Sequence, residues 1–332
     1  MNALYSLVIV IALIVVPLLG AGAAGWHALF GVVVPYLALI AFAAGFVYRV
    51  LDWGRSAVPF RIPTTAGQQY SHDWIKPSKL DNPSTTAGVV GRMILEVLLF
   101  RSLFRNTRMR LHQDQGTKLS YGSTKWLWLG AIAFHATFFL ILARHMRYFT
   151  EPVPGIFTWL DFLDGILQIG LPVLYVSNII ILLALLFLLL RRVLEPNLRY
   201  ISLPADYFPL FLLLSIVISG MLMRYFAHTD IINIKVLAMG LVTFNPQVPA
   251  NIGVTFYVHL FLVCVLLAYF PWSKLMHLAG VFFSPTRNLA NNSRMQRHIN
   301  PWNYPVKVHT YEEWEDENRE RLKEAGLPVE KE

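Results

Sequence analysis

The sequence predicts an all-α membrane protein with six transmembrane helices. Of the 332 residues, 55% are hydrophobic and only 14% are charged, and the mean hydropathy is +0.49. A soluble domain carries about 25% charged residues, so this composition excludes an ordinary soluble protein. Six apolar segments are long enough to cross a hydrocarbon layer of about 30 Å at about 1.5 Å per residue. They are 3–22, 27–49, 124–147, 166–190, 206–226 and 253–276.

The distribution of Lys and Arg predicts which side of the membrane each loop faces. Of the 28 basic residues, 24 lie in 49–125, in 191–199 and in the tail from Lys274 onward, and four lie in the other loops. Loops rich in Lys and Arg stay in the cytoplasm. We therefore expect a multi-pass protein of the cytoplasmic (inner) membrane with both termini in the cytoplasm. This topology accounts for the net charge of +8, and we expect the lipid bilayer and no nucleic acid as a partner.

Composition divides the chain into four predicted parts. They are a transmembrane hairpin over 1–49, a cytoplasmic loop over 50–122, a four-helix core over 123–283 and a cytoplasmic tail over 284–332. Within the loop, residues 91–110 are dense in apolar side chains flanked by arginines, which predicts a helix lying in the inner membrane interface. A helix docked on a soluble partner fits this pattern equally well. The charged tail, with its interspersed Trp and Tyr, is predicted to pack against another protein.

Four of the ten histidines stand out because they lie in or beside two apolar segments. His135 and His145 are ten residues apart, and His259 and His277 are eighteen apart, which is about five helical turns. Each pair therefore projects from one side of its helix. An ionisable side chain in a bilayer is costly and usually functional, and imidazole is a standard axial ligand of heme iron. The pattern predicts two hemes b, each held by two histidines.

Depth in the membrane predicts how the four histidines combine. The two helices run in opposite directions, so His135 and His277 lie toward the inner side and His145 and His259 toward the outer side. The predicted pairs are therefore His135 with His277 and His145 with His259. Ten residues rise about 15 Å but eighteen rise about 27 Å, so closing both pairs requires tilted helices or a kink at Pro271.

Two histidines on one iron leave no open position, which indicates electron transfer rather than oxygen chemistry. The single cysteine, Cys264, excludes an internal disulfide and a c-type heme attachment site. A lipid-soluble quinone is then the expected redox partner, in an apolar slot with a few polar groups near His145. The candidate quinone ligands are Arg144, Arg147, Asp161, Asp164 and Gln168, followed by Arg224 and His228.

The histidine spacings, together with YFPWSKLMH at residues 269–277, resemble the gamma (cytochrome b) subunit of respiratory nitrate reductase. The likeness covers roughly residues 30–290, which makes a five-helix core with segment 3–22 as an added N-terminal helix. It implies that the four histidines ligate two b-type hemes in the pairs given above. It also implies quinol oxidation at the outer heme and electron transfer to a cytoplasmic partner. The lysine that this family places near the quinone has no match around Ile166–Gln168.

Further motifs, among them FRIPTTAGQQ, YFTEPVPG and SPTRNLANNSRMQRHINPWNYPVKVHTYEEWEDE, resemble the DsrM family. Members are cytochrome b subunits of DsrMKJOP, a membrane complex linked to dissimilatory sulfite reductase. The resemblance implies electron transfer between menaquinone and a cytoplasmic iron–sulfur subunit similar to heterodisulfide reductase, in a quinone-linked oxidoreductase of sulfur metabolism. It also implies a multiheme cytochrome c, a ferredoxin-like subunit and a second membrane subunit as partners.

Two alternatives remain open. One is the cytochrome b subunit of a heterodisulfide or nitrate reductase. The other is a cofactor-free transporter or scaffold, in which the histidines would serve packing. A transporter would be expected to have helices broken by Gly or Pro at matching positions in its two halves. The sequence has no such symmetry. The direction of electron flow is also left open.

Overall fold

A computed structural model describes residues 1–56, 74, 76, 78–113, 116–165, 172–292 and 308–330. This part of the chain is mostly helical, as the sequence predicts, and the fold class is confirmed. Its helical segments that are long and apolar enough to cross a membrane number six. They are Asn2–Ala23, Leu29–Arg55, Lys125–Tyr148, Val176–Leu194, Pro204–Tyr225 and Val254–Trp272.

The first two segments are joined by a short turn. Helix α1 (Asn2–Pro17) continues with π-helical hydrogen bonding to Ala23, and a second π-helical stretch leads into α2 (Val34–Arg55). Between them Gly25 has a φ of 71°, a left-handed conformation that glycine adopts without steric cost. Glycine at position 25 therefore allows the short connection between the two spans.

The loop between the second and third spans contains short helices and a hairpin. The elements are α3 (Thr86–Leu99), α4 (Arg101–Arg105), β1 (Thr107–His112) and β2 (Lys118–Ser123). The two strands pair antiparallel. The single helix expected over residues 91–110 is therefore wrong. The break lies at Phe100, whose φ of 50° and ψ of 46° are left-handed and end α3.

The remaining helices before the tail alternate between long and short. They are α5 (Lys125–His145), α6 (Gly155–Asp164), α7 (Val176–Leu194), α8 (Pro196–Ile201), α9 (Pro204–Tyr225), α10 (Ile231–Val242) and α11 (Val254–Tyr269). The expected start of the fourth span at residue 166 is wrong, because α7 begins only at Val176. Residues from Pro172 to Tyr175 are not helical, and the residues between α6 and Pro172 include a stretch outside the described chain.

The spans form a row in which α5 packs on α7, α7 on α9 and α9 on α11. The N-terminal hairpin covers the far side, with α1 on α9 and α11, and α2 on α11. Leu185, Tyr207 and Leu213 belong to the buried core between α7 and α9, and Leu212 and Leu262 to the core between α1, α9 and α11. The helices α5 and α11 are not among the closely packed pairs of the described chain. Side chains span the space between them, and the histidines are among these.

The sixth span is not one continuous helix, so the expectation of a helix through residue 276 is wrong. Helix α11 ends at Tyr269, and the chain passes through two 3-10 turns separated by an extended Ser273 before α12 (His277–Gly280). Pro271 lies in the first turn, where it cannot donate the hydrogen bond that would continue the helix. A Cβ at Gly45 of α2 would lie 2.8 Å from the Pro271 side chain. Glycine at position 45 therefore allows this turn to pack against α2.

The C-terminal part contains α13 (Pro285–Asn288), which packs on α3, and α14 (Tyr311–Glu324). A capping box between Thr310 and Glu313 begins α14. The charged tail therefore contains a helix. Its docking on another protein stays a prediction.

Candidate functional site

The two histidines of α5 face His259 in α11 and His277 just after it. The two pairs form two layers. The ring centres of His135 and His277 are 5.9 Å apart, with an angle of 81° between the ring planes. Those of His145 and His259 are 6.5 Å apart, with an angle of 15°. The structure brings together the two pairs that membrane depth combines in the sequence. The break at Pro271 takes His277 off the axis of α11. Both pairs can therefore meet, although a continuous helix would separate His259 and His277 by more than the rise between His135 and His145.

All four rings are held through the same nitrogen. Nδ1 lies 2.7 Å from the Ala131 oxygen in His135, and 2.7 Å from the Ile141 oxygen in His145. In His277 it lies 2.9 Å from the Lys274 oxygen, and in His259 it lies 3.0 Å from the Ser219 hydroxyl. A histidine that ligates a metal usually donates its other ring N–H to such an acceptor, which fixes ring orientation and tautomer. This arrangement leaves Nε2 of each ring as the free ligand atom.

The ring separations suit an iron between them. Two bonds of about 2 Å, plus about 1 Å from each nitrogen to its ring centre, place the centres of two opposed imidazoles about 6 Å apart. Both measured separations are close to this value. Among the described residues, no group of three or more His, Cys, Asp or Glu could hold a metal ion. Isolated pairs suit an iron whose other four ligands come from a porphyrin, so the residues present fit heme.

Helix α9 supports the outer pair. The Ser219 hydroxyl donates to the Ile216 carbonyl and so accepts from the His259 ring. The next residue is Gly220, where a Cβ would lie 3.3 Å from the His259 ring. A side chain at position 220 would therefore press on that ring. Ser219 thus supplies a hydrogen bond to the His259 ring, and the adjacent Gly220 leaves space for that ring.

Aromatic rings pack on His135 of the inner pair instead. Phe100 and Phe134 each lie 5.0 Å from the His135 ring, both nearly edge-on, at 81° and 78°. Phe134 is the preceding residue on α5. Phe100 comes from the turn between α3 and α4, outside the bundle of spans. The inner pair is therefore covered by part of the loop region between the second and third spans.

A charged cluster lies beside the outer pair, built around the residue before His145. The Arg144 guanidinium donates to Asp164, and the side chains of the two residues are only 7% and 2% exposed. Asp164 also accepts from the Ser177 amide at 2.8 Å and from the Ser177 hydroxyl at 2.5 Å. These bonds join α5, α6 and the start of α7. Arg144 and Asp164 are bound to each other and to Ser177, and Arg144 also lies 3.3 Å from Asp161, which gives the pair a structural role.

The other acid of the cluster is more open. Asp161 lies 3.1 Å from an Arg147 nitrogen, and the two side chains are 28% and 25% exposed. Burial, together with the neighbouring Asp161 carboxylate, raises the pKa of the Tyr175 hydroxyl. The Tyr175 ring is sandwiched between the guanidinium carbons of Arg144, at 3.5 Å, and Arg224, at 3.9 Å. Two arginines, Arg144 and Arg147, thus share the two carboxylates, and Arg224 joins the cluster through the tyrosine ring.

The remaining sequence candidates are placed differently. Gln168 lies outside the described residues. Arg224 belongs to the cluster through Tyr175 and donates to the Val173 carbonyl at 3.1 Å. His228 hydrogen-bonds through its ring to the Phe226 carbonyl at 3.1 Å, a local bond outside the charged cluster.

Sequence reasoning missed Tyr175, Ser177, Ser219, Gly220 and Phe100. The adjacent Ser219 and Gly220 in an apolar helix were a usable signal, since small and hydroxyl-bearing residues mark close helix contacts in membranes. The other three carried no signal, because their roles arise from contacts between elements distant in sequence.

Comparison with known proteins agrees with the geometry of the site. Residues 89–298, which include all four histidines, match the nitrate reductase gamma subunit family. The chain belongs to this family. A relative from Archaeoglobus fulgidus, described as an Hdr-like menaquinol oxidoreductase cytochrome b-like subunit, is 46% identical over 281 residues, or 82% of this chain and 83% of the relative. A relative with the same description from Archaeoglobus profundus is 45% identical over 275 residues, or 81% of each chain.

Family membership and six apolar helices together make this nitrate reductase gamma relative a multi-pass membrane protein. The related proteins are subunits of redox complexes. The resemblance to the nitrate reductase gamma subunit is confirmed.

Proposed function

We propose that the protein is a diheme cytochrome b subunit that exchanges electrons between menaquinone and a cytoplasmic iron–sulfur subunit. In this proposal His135 and His277 hold the inner heme b, and His145 and His259 hold the outer one. The observation that carries it is the meeting of two histidine pairs at separations suited to an iron, with Nδ1 of every ring occupied.

Bound heme would supply one-electron redox chemistry, and bis-histidine ligation keeps that chemistry to electron transfer. The protein's contribution is to bind and orient. Backbone carbonyls bonded to Nδ1 fix three of the rings and the Ser219 hydroxyl fixes that of His259. The apolar side chains packed between α5, α7 and α9 would keep water away from the pairs. Burial and hydrogen bonding around a heme are the means by which a protein sets its potential.

The quinone would bind next to the outer pair. Within the charged cluster, Arg147 and Asp161 form an ion pair that retains exposure, so we propose that they meet the quinone oxygens, with the buried Tyr175 beside them. Arg144 and Asp164 would instead hold the helices around that site. Helix α6 presents Trp159 and Phe162 outward, at 55% and 75% exposure, and a quinone arriving through the lipid would pass this apolar face.

The partner would dock on the opposite, cytoplasmic side. This orientation follows from the excess of Lys and Arg in the loop between the second and third spans and in the tail. The relatives from Archaeoglobus are described as Hdr-like, which favours a heterodisulfide reductase-like iron–sulfur subunit over the partner of a nitrate reductase. The tail motif supports the narrower proposal of a DsrM-type subunit in dissimilatory sulfur metabolism. A multiheme cytochrome c, a ferredoxin-like subunit and a second membrane subunit would complete that complex.

The direct test is reduction of the purified protein by a menaquinol analogue, followed by visible spectroscopy. We expect b-type heme bands that are reduced by the quinol in the wild-type protein. In His145→Ala, loss of the outer heme should abolish this reduction, while dithionite still reduces the remaining heme. A protein that purifies without heme, or a His145→Ala variant reduced by quinol at the wild-type rate, would contradict the proposal.

The matched control is His277→Ala, which removes a ligand of the inner pair. Quinol should still reduce the outer heme of this variant, and electron delivery to the cytoplasmic partner should stop. The two variants therefore separate the quinone side from the partner side.

A further inference from the structure

The backbone of Phe100 adopts a conformation that phenylalanine rarely takes. Its φ of 50° and ψ of 46° place it in the left-handed region. A bulky non-glycine residue there is an outlier, since its Cβ crowds the backbone. The position is the C-terminal cap of α3, where glycine is the usual residue. The fold keeps a strained phenylalanine where glycine would be easier.

Several bonds hold this turn in place. The Phe100 amide donates to the Glu96 carbonyl at 3.1 Å, and the Leu99 carbonyl accepts from the Trp128 indole at 2.7 Å. The Glu96 carboxylate accepts from the Ser102 amide at 2.9 Å and from its hydroxyl at 2.7 Å, which caps the start of α4. The turn is therefore anchored both to α5 and to itself. Strain that is kept by so many contacts points to a role for the residue that bears it.

The Phe100 side chain reaches into the bundle as far as the inner histidine pair. His135 is ten residues past Lys125, the start of its span, which corresponds to a depth of about 15 Å. The Phe100 ring lies 5.0 Å from the His135 ring, edge-on at 81°. The His277 ring lies 5.9 Å from His135, also at 81°. Phe100 therefore confines the His135 ring, whose plane is nearly perpendicular to that of the His277 ring.

We infer that Phe100 is a positioning residue that fixes the ring plane of His135 opposite His277 and closes the inner site toward the cytoplasm. This inference rests on the proposed function, because the angle between the ring planes has a spectroscopic consequence only when the pair binds heme. Two imidazoles with perpendicular planes produce a highly anisotropic low-spin ferric signal in electron paramagnetic resonance. Parallel planes produce a more rhombic signal, because their π orbitals then act along one direction.

The test is electron paramagnetic resonance and redox titration of the full-length protein with Phe100→Ala and Phe100→Gly. Both variants remove the ring, but only Phe100→Gly also relieves the left-handed backbone. The control is Phe104→Ala, because Phe104 packs 4.9 Å from the Trp128 ring on the same turn and not on a histidine.

We expect the anisotropic signal to move toward the rhombic one in both Phe100 variants, with the outer signal unchanged. The potential of the inner heme should fall, since water entering the vacated space favours the more charged ferric state. Loss of the inner heme alone in these variants, with both hemes kept in Phe104→Ala, would also support the inference. An unchanged inner signal in both Phe100 variants, or an equal change in Phe104→Ala, would overturn it.

Failure of the proposed function would look different. In that case the wild-type protein itself would lack two low-spin signals, and the Phe100 variants would have nothing to alter. Two normal signals in the wild type that neither Phe100 variant shifts would overturn the positioning role alone.

Discussion

The outer and inner histidine pairs are built in different ways. His145 and His259 both belong to continuous helices, their rings are nearly parallel at 15°, and charged and hydroxyl groups surround them. His277 follows a helix break, its ring is at 81° to that of His135, and aromatic rings pack on His135. The same ligand type is thus placed in a polar, rigid setting on one side and an apolar, loop-covered setting on the other.

This difference matches what each side would have to do. A quinone site requires polar groups for its oxygens, and the outer cluster of Arg, Asp and Tyr offers them. A site that passes electrons to a docked protein requires only shielding and a defined orientation. The turn at Phe100 can supply these at the inner pair.

The largest effect expected is selective loss of one heme. Since each iron would depend on two histidines, His259→Ala should remove the outer heme and His277→Ala the inner one, leaving one heme per chain in either variant. Heme content per protein, with redox titration to identify the remaining heme, measures this. Two full hemes in either variant would break the pairing.

Next in size is the buried pair between Arg144 and Asp164. Arg144→Met leaves the buried Asp164 charge without its partner, which costs about 3–5 kcal/mol of stability. Asp164→Asn should cost less, because Arg144 keeps Asp161 at 3.3 Å. The double variant should lose less than the sum of the two single variants, because it leaves no unpaired charge. Thermal unfolding in detergent measures this, with the more exposed Arg147→Met as control. Additive losses in the double variant would show that the two residues do not act together.

A smaller and more local effect is expected at Gly220. The added methyl of Gly220→Ala would lie 3.3 Å from the His259 ring, so the ring must shift. The outer heme signal should change while the inner signal stays as it is. The control is Gly253→Ala, where a Cβ meets nothing within 4 Å. A change of equal size in both variants would show that Gly220 has no specific role at the outer pair.

The smallest effect concerns the inner side and its pH dependence. Burial would raise the pKa of Asp81, but bonds from Arg105 and Ser78 and the charge of Arg101 hold it below its ordinary value. A depressed pKa contributes stability above the ordinary value of about 4, which is lost as the pH falls through the folded pKa. Asp81→Asn should therefore lower stability at neutral pH by less than about 1 kcal/mol. Melting curves of the variant and wild type should converge in acid, and a constant difference at all pH values would contradict this.

Much of the fold could be predicted from hydropathy alone. Six apolar stretches became six helices of spanning length, because backbone groups in a bilayer must be bonded within their own segment. The helix ends were less predictable. The fourth span starts ten residues later than expected, at Val176, and the sixth stops at Tyr269, before Pro271. Hydropathy cannot separate a helix from an apolar turn that packs against its neighbours.

The histidines were predictable because their cost in a bilayer makes each one conspicuous in the sequence. Their surroundings were not. Nothing in the sequence indicates that Phe100 adopts a left-handed conformation, or that Tyr175 lies between two arginines. Both facts depend on how separate elements meet in space, and one sequence carries no record of that.

The central claim is that the chain holds two irons between two histidine pairs of different geometry. Electron paramagnetic resonance of the oxidised wild-type protein tests it most directly. The account predicts two low-spin ferric signals of equal intensity, a highly anisotropic one from the inner pair at 81° and a more rhombic one from the outer pair at 15°. A single signal, a high-spin signal from an iron with an open position, or no heme signal would contradict it.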